Sequence, residues 1–214
     1  MSVKVNIGCG RTPYDGWVNM DNSPAIKLAN SPIKYFIAKK MRMLDQSHIE
    51  NIEWNKVNSI KFADATKNIP MDNRSVDCVY TSHMFEHLSR LGAKKFLKEV
   101  LRVLKIGGVL RISVPDLKFY VDEYLCNKDA DMFMHNMFIE APPINNLKEK
   151  IILLIYGYRH HQWMYDQNSL CKLLEEFDFK DIQVCTDGYS RISEPEGLNL
   201  YERADNSIFV EAIK

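Results

Sequence analysis

The sequence predicts an α/β fold: a mainly parallel, seven-stranded sheet flanked by helices, with helical insertions that cap the carboxyl edge of the sheet. Three observations indicate this fold. Seven short runs have strand character, amphipathic helical runs lie between several of them, and the first run ends in a G-x-G turn. Strands that alternate with helices are typical of parallel sheets whose faces are covered by helices.

The candidate strands are runs of β-branched and aromatic residues between turn-forming residues. They are the segments 3–7, 16–21, 59–66, 75–82, 107–116, 179–186 and 206–214. Two helices are predicted from apolar residues that recur with helical spacing. The first carries Leu97, Val100, Leu101 and Leu104, and we expect the pair Gly107–Gly108 to end it. The second follows the N-cap candidate Asp166 and carries Leu170, Leu173, Leu174 and Phe177.

Three regions do not fit the alternation of strands and helices: 22–58, 117–165 and 187–205. The first two contain helical stretches, and the third is a polar segment with Pro and Gly that resembles a long surface loop. Open α/β sheets bind ligands at their carboxyl edge. We therefore expect a single domain, 1–214, in which these regions are insertions that cover the substrate.

Composition narrows the class of protein. Lys plus Arg and Asp plus Glu each total 28, so the chain lacks the basic excess that is typical of nucleic-acid binders. No apolar run approaches the roughly 18 residues of a membrane span, and no apolar leader follows the first residues. Five scattered cysteines without a C-x-x-C pair are typical of reduced thiols, which favours a cytoplasmic protein.

The G-x-G turn is the first candidate binding element. Gly8 and Gly10 allow a tight turn and a close approach of the backbone to a ligand, although a simple tight turn is the alternative. Asp21 ends the next strand, where a carboxylate can accept hydrogen bonds from ribose hydroxyls, and Asp64 ends the third. A dinucleotide site needs about 20 residues and a helix before its acid. The shorter spacing here favours a nucleoside ligand without phosphates.

Five motifs, in order, resemble class I S-adenosylmethionine-dependent methyltransferases, and specifically compact type-11-like members. They are "VNIGCG", Asp21, Asp64 with Ala65, "NRSVDCVYTSHMFEHL" and "EVLRVLKIGGVLRISVPD". The resemblance covers residues 3–21, 59–116 and 166–186 and the last strand, and it implies a Rossmann-like sheet. Compact relatives with the opening "NIGCG…GWVNMD" resemble those of polysaccharide and surface-glycan pathways.

The resemblance implies S-adenosylmethionine as cofactor and assigns roles to particular residues. Gly8 and Gly10 would contact its amino-acid part, Asp21 its ribose, and Asp64 with Ala65 its adenine. The full set of implied cofactor residues is Asn6, Gly8, Cys9, Gly10, Asp21, Asp64, Ala65 and Ser82. Asn6 stands where many members have an acid, so one expected contact is missing.

The segment "TSHMFEHLSR" places His83, Glu86 and His87 after the fourth strand, in H-x-x-E-H spacing. In this fold, that strand end faces the transferred methyl group. Three interpretations stay open. The segment is a polar helix start, or it supplies acid–base groups, because histidine titrates near neutral pH. In the third, it binds a metal, as the family's small-RNA 2′-O-methyltransferases and ubiquinone-pathway O-methyltransferases do with E-x-x-E-H.

The metal interpretation names four ligands: His83, Glu86, His87 and His160. Imidazole-rich ligands suit Mn, Fe, Zn, Co or Ni better than Mg or Ca. The catalytic candidates are His83, His87 and His161. H-x-x-E-H is also a zinc-peptidase signature, but there the motif must lie within a long helix.

The segment "GYRHHQWMYD" supplies candidate substrate contacts: Arg159, His160, Trp163 and Tyr165. Core packing is the alternative for each aromatic residue. Arg191 and Arg203 are further candidates for contacts with anions. The main hypothesis is methyl transfer to an oxygen of a small polar acceptor: a sugar, a nucleotide-sugar or a phosphorylated metabolite. The alternatives are a nucleoside-binding module that has lost catalysis, and a metallohydrolase.

Overall fold

A computed structural model describes residues 2–41, 44–140, 144, 150, 160–195 and 197–214. Seven strands form one sheet: β1 (Lys4–Ile7), β2 (Val18–Asp21), β3 (Lys61–Phe62), β4 (Val76–Ser82), β5 (Leu104–Pro115), β6 (Lys180–Cys185) and β7 (Ser207–Ile213). Their spatial order is β3-β2-β1-β4-β5-β7-β6, and β7 runs antiparallel to both of its neighbours. The predicted seven-stranded, mainly parallel sheet is thus confirmed.

The described α-helices are α1 (Pro24–Ala29), α2 (Pro32–Lys40), α3 (Gln46–Val57), α4 (Arg90–Val103), α5 (Leu117–Asn127), α6 (Ala130–Asn136) and α7 (Gln167–Glu175). Two 3-10 helices, Phe85–His87 and Ala204–Asn206, complete the described elements. None of the described helices combines the length and the apolar character that crossing a membrane requires.

Helices α4 and α7 cover one face of the sheet. Their apolar stripes join the main core, which includes Phe96 and Leu97 of α4, Leu173 of α7, and Val79 and Ile112 of the sheet. The stripes predicted from helical spacing therefore pack as expected. The predicted stop of α4 at Gly107–Gly108 is wrong, because the helix ends at Val103 and β5 begins at once with Leu104.

Irregular chain covers the centre of the opposite face. Trp17 packs against Tyr80 with ring centroids 6.2 Å apart, and Ile192 and Leu198 join the same cluster. Flanking helices are therefore confirmed for one face. At the centre of the other face, the β1–β2 connection and described residues of the segment 187–205 cover the sheet instead of helices.

The connection between β1 and β2 contains no helix, although the two strands are parallel. The backbone N–H groups of Gly8 and Cys9 both donate to the carbonyl of Met20, which closes the turn. Asn19 then fixes the connection, because its side chain bonds both the N–H and the carbonyl of Tyr14. The missing crossover helix agrees with the short spacing in the sequence, and α1 to α3 follow β2 instead.

A buried ion pair lies between β5 and β7. The Arg111 guanidinium is 2.8 Å from the Glu211 carboxylate, and both side chains are fully buried. Ser190 and Arg191 also donate hydrogen bonds to Glu211, so the pair ties the segment after β6 to the sheet.

Candidate functional site

A polar cavity of about 360 Å³ opens at the carboxyl ends of β1 and β2. Its lining residues are Gly10, Arg11, Asp21, Ser23, Ser47, His48, Glu50, Asn51 and Asn55. The volume falls within the roughly 300–1,000 Å³ of small-molecule sites. A cavity built from the G-x-G turn, the end of β2 and helix α3 therefore lies at the edge of the sheet where the sequence predicts a site.

Asp21 is the carboxylate of this cavity. Its Oδ2 accepts a hydrogen bond from the backbone of Gly10 at 3.1 Å, and its Oδ1 accepts one from Ser23 at 2.7 Å. Each carboxylate oxygen can accept more than one hydrogen bond, so Asp21 retains capacity for the hydroxyls of a ligand. The two backbone donors hold the carboxylate at the edge of the cavity.

Asn6, Gly8 and Cys9 support this cavity from behind and do not line it. The amide of Asn6 donates to the side chain of Asn19 and to the carbonyl of Thr12, so it holds the β1–β2 connection. The N–H groups of Gly8 and Cys9 bond Met20, as described above. A Cβ atom on Gly8 would lie 2.5 Å from Cγ of Met84, which explains a glycine at this position.

Asp64, Ala65 and Ser82 also lie outside the lining of this cavity. Asp64 accepts hydrogen bonds from Thr66 and pairs with Lys67 at 2.8 Å. Burial alone would raise the pKa of Asp64, but these contacts outweigh it and lower the pKa below its usual value. Ala65 is buried in the core, and Ser82 ends β4.

Helix α3 contributes the lining residues that the sequence analysis missed: Ser47, His48, Glu50, Asn51 and Asn55. Arg11 bridges the turn to this helix, because its Nε donates to Asn51 at 3.5 Å and its guanidinium lies over the ring of Trp54. The one available signal was the N-cap Asp45, whose side chain accepts from His48 and starts the helix.

The H-x-x-E-H segment forms a tight turn between β4 and α4. His83 has a left-handed backbone (φ 48°), and the 3-10 helix Phe85–His87 follows. The turn at His83 brings its Nδ1 to 3.5 Å from Oε1 of Glu86. The long helix that the zinc-peptidase interpretation requires is not present here.

Glu86 is the centre of the segment and is 1% exposed. Its Oε1 lies 3.5 Å from Nδ1 of His83, 3.9 Å from Nε2 of His87 and 3.8 Å from Nε2 of His161. Neither carboxylate oxygen accepts a hydrogen bond from another described residue. A buried carboxylate without donors is costly unless a cation or a proton compensates it.

Residues 160–163 are bonded onto this turn. Gln162 and Trp163 donate their backbone N–H groups to the carbonyl of Glu86, and the side chain of Gln162 donates to His87. Nδ1 of His87 is 3.2 Å from the carbonyl of His160, which can only accept. Nδ1 of His87 therefore carries a proton, and its Nε2 lies on the side of Glu86.

The histidine that joins Glu86 and His87 is His161, in place of the predicted ligand His160. The ligand atoms of Glu86, His87 and His161 all lie within 4.8 Å of one another, whereas His160 contributes its carbonyl. The side chain of His161 is 10% exposed. Burial is the largest influence on its pKa and, despite the opposing charge of Glu86, lowers it from the usual histidine value.

His83 is held in one tautomer by two contacts. Nη1 of Arg203 lies 3.2 Å from its Nδ1, and Oγ of Ser207 lies 3.2 Å from its Nε2. A guanidinium can only donate, so Nδ1 accepts and Nε2 carries the proton that is given to Ser207. The lone pair of His83 is thus occupied by Arg203, and in this arrangement His83 serves neither as a base nor as a ligand.

A second cavity, of about 370 Å³, lies beside this cluster. Its lining residues are His83, His87, Pro115, Tyr120, Asn136, Phe138, His161, Arg203 and Asn206. Pro115 ends β5, so this cavity also opens at the carboxyl edge of the sheet. Met84 follows His83 in the chain and packs against Gly8 of the first turn, although it lines neither cavity.

The predicted substrate residues do not share one surface. Trp163 is 45% exposed and stacks under the guanidinium of Arg90, while Tyr165 is fully buried against Phe85. The burial of Tyr165 fits the core-packing alternative and leaves no surface for a substrate. Arg159 lies outside the described residues. Arg191 pairs with Asp181 and Glu211 and lines neither of these two cavities.

The Glu86–His87–His161 cluster has the donor set of a transition-metal site. Two ligand atoms on a tetrahedral ion, each about 2.0–2.2 Å from it, lie roughly 3.3–3.6 Å apart. The observed separations of 3.8 and 3.9 Å from Glu86 Oε1 need only a few tenths of an ångström of closure. The ligand atoms of the two imidazoles lie within 4.8 Å of each other, so the residue types fit a divalent ion and the three side chains would have to close on it.

Comparison with known proteins gives a family match for half of the chain. The family described as "Methyltransferase domain" matches residues 6–112, from β1 into β5. No curated protein matches the chain. The family match ends before His161 and Arg203, so it does not bear on either.

Solved structures share the fold over the whole chain. A SAM-dependent methyltransferase from Archaeoglobus fulgidus has a TM-score of 0.51 at 13% identity, covering 100% of this chain and 86% of that one. A possible histamine N-methyltransferase from Thermotoga maritima has a TM-score of 0.50 at 17% identity, covering 100% and 83%. A DhpI–SAM–HEP complex has a TM-score of 0.51 at 10% identity, covering 100% and 78%.

Proposed function

Because the chain belongs to the family of S-adenosylmethionine-dependent methyltransferase domains, we propose that it methylates an oxygen of a small polar acceptor. The observation that carries this proposal is that two cavities open at the carboxyl edge of the sheet. The first, with Asp21, suits the cofactor. The second, with its three imidazoles, suits the acceptor.

The residues of the first cavity fit the cofactor. Asp21 offers a carboxylate that two backbone N–H groups hold in place, and ribose hydroxyls are its natural donors. Asn51 and Asn55 of α3 add amide groups to the wall. When bound, the cofactor supplies a methyl group on a sulfonium, a strongly electrophilic carbon.

The acceptor needs positioning and the removal of a proton from its hydroxyl. Orientation of two reactants in a fixed site supplies much of a rate enhancement. Asn136 and Tyr120 can orient polar groups in the second cavity. Nε2 of His161 can take the proton, because its lowered pKa keeps the ring neutral near pH 7. The buried Glu86 carboxylate would then stabilise the imidazolium.

The ring nitrogens of His87 and His161 can instead hold a divalent ion together with the Glu86 carboxylate. A lone pair that binds an ion cannot also accept a proton, so the two roles of His161 exclude each other. With an ion of the Mn, Fe, Zn, Co or Ni group, Glu86, His87 and His161 would be its protein ligands. The ion would lower the pKa of a bound hydroxyl and orient it.

The test starts with binding of the cofactor. Addition of S-adenosylmethionine or its demethylated product to the purified protein should raise the melting temperature, because ligands of the native state stabilise it. Asp21→Asn should abolish most of this shift. Asp15→Asn, an exposed acid in the same connection, is the matched control and should keep it. No shift with either ligand would contradict the proposal.

Transfer itself is tested with a labelled methyl group. Sugars, nucleotide-sugars and phosphorylated metabolites are offered in turn, and NMR of the product locates the methyl. A labelled methyl group bonded to oxygen supports the proposal, and one bonded to nitrogen contradicts it. A role in surface-polysaccharide synthesis and a cytoplasmic location are parts of the same proposal that depend on the acceptor found.

The alternative of a catalytically silent nucleoside-binding module rested on Asn6 in place of an acid. The structure gives Asn6 another function, because its amide bonds Thr12 and Asn19 inside the β1–β2 connection. Its identity is thereby explained without a loss of catalysis. No observation in the described residues favours this module over the enzyme.

A further inference from the structure

Arg203 supplies the one permanent charge in the described lining of the second cavity. Of the residues that line it, Arg203 carries a permanent positive charge and three are histidines, and none is a carboxylate. Glu86 lies behind the imidazoles and has almost no exposed surface. A small site lined in this way favours an anionic guest over a neutral or cationic one.

Arg203 is held at the cavity by a contact that a stronger partner could replace. Its side chain is exposed, and among the described residues no carboxylate lies within ion-pair distance of it. By contrast, Arg102, Arg111 and Arg191 each pair with a carboxylate. The partner of Arg203 is Nδ1 of His83, which is a weaker acceptor than an oxyanion.

Backbone strain occurs at both ends of this contact. Arg203 and His83 have left-handed backbones, with φ of 52° and 48°. Such conformations are uncommon for residues other than glycine, and they cluster at ligand clamps and active sites. Here they bring together two side chains that lie 120 residues apart in the sequence.

We propose that Arg203 recognises an oxyanion of the acceptor, a phosphate monoester or a carboxylate, and that this releases Nδ1 of His83. The inference rests on the proposed function and names its substrate class. A guanidinium binds a phosphate or carboxylate through two parallel hydrogen bonds, which a single imidazole nitrogen cannot match. Once the guanidinium turns to the oxyanion, Nδ1 of His83 is released and can accept a hydrogen bond from another donor on the bound acceptor.

The experiment uses inorganic phosphate and acetate as probes of the whole protein, with histidine ring nitrogens observed by ¹⁵N NMR. Phosphate should bind saturably and shift the Nδ1 signal of His83. Arg203→Gln should weaken binding by about tenfold or more, since charge-assisted hydrogen bonds are lost. The affinity of Arg203→Lys for phosphate should lie between those of the wild type and Arg203→Gln, because lysine keeps the positive charge but cannot form two parallel hydrogen bonds. Tighter binding of phosphate than of acetate identifies a phosphate monoester, and the reverse order identifies a carboxylate.

Arg74→Gln is the matched control, because Arg74 is also exposed and also left-handed, with φ 53°, yet lies outside the cavity. It should bind phosphate as the wild type does. Equal binding by Arg203→Gln and wild type would overturn the inference, as would binding without a change at His83. Neither result touches the cofactor shift with S-adenosylmethionine, so failure of the inference and failure of the proposed function are distinguishable.

Discussion

Met84 lies directly over Gly8, so that its Cγ atom is 2.5 Å from the position a Cβ atom would take on that glycine. This contact joins the turn after β1 to the turn after β4. It thereby links the G-x-G turn to the histidine segment.

Gly8→Ala should destabilise the protein more than Gly10→Ala. Both glycines are left-handed, so each alanine costs about 1–2 kcal/mol of backbone strain. A Cβ on Gly10 meets nothing within 4 Å, whereas one on Gly8 meets Met84 and adds an overpacking cost of about 1–3 kcal/mol. Urea unfolding measures the difference. Adding Met84→Ala to Gly8→Ala should recover the second part, and equal losses in the two glycine variants would contradict the contact.

His161→Ala should abolish the response to divalent ions, and His160→Ala should not. A bound ion at about 100 times its Kd raises the free energy of unfolding by about 2.7 kcal/mol. The measurement is the melting temperature with Mn²⁺, Co²⁺, Ni²⁺ or Zn²⁺ after chelation. Glu86→Gln should behave as His161→Ala does, because the amide is a poor ligand. An unchanged ion response in either variant would remove the metal site.

Glu211→Gln should cost about 3–5 kcal/mol, because it leaves the buried Arg111 guanidinium without its counter-ion. The double variant Arg111→Met, Glu211→Leu should recover much of that loss. Glu176→Gln, which breaks the exposed pair with Lys94, is the control and should change stability by about 1 kcal/mol or less. Urea unfolding gives all three values. A loss for Glu211→Gln no greater than for the control would show that the pair is unimportant.

Acid should destabilise the folded protein by protonating the carboxylate of Glu211. Burial alone would raise the pKa of Glu211, but hydrogen bonds from Ser190 and Arg191 and the charge of Arg111 outweigh it and lower the pKa below 4.5. As the pH falls, Glu211 is protonated in the unfolded chain before it is protonated in the folded protein. Its contribution to the free energy of unfolding is therefore complete above pH 4.5 and is lost as the pH falls through the lower pKa of the folded state. Unfolding free energies across this range should fall less steeply in Glu211→Gln than in the wild type.

Much of the fold followed from local patterns. The strand runs and the apolar stripes of α4 and α7 are short-range signals, because burial on one face imposes the period of the element. The position of Asp21 at the carboxyl edge followed for the same reason, since the end of a parallel strand fixes which edge its side chain reaches. The stop of α4 was missed because the C-cap Leu104 is already extended, and no glycine marks the change.

The candidate site was harder to predict because its partners are distant in the sequence. Nothing in "RHHQ" distinguishes His160 from His161. The choice is made by hydrogen bonds from Gln162 and Trp163 to the carbonyl of Glu86, which turn one imidazole inward. The contact of Arg203 with His83 spans 120 residues and depends on two left-handed backbones. The N-cap Asp45 marks the start of helix α3, but nothing in the sequence indicates that its amides line the first cavity.

The order of strands at one edge of the sheet has a consequence for synthesis on the ribosome. β6 is the outermost strand and pairs with β7, which follows it in the chain after residues 186–206. At roughly 5–20 residues per second, this interval takes on the order of 1–4 s. During that time the nascent chain exposes a strand whose partner is still untranslated, a ready target for chaperones or for pairing with another nascent chain.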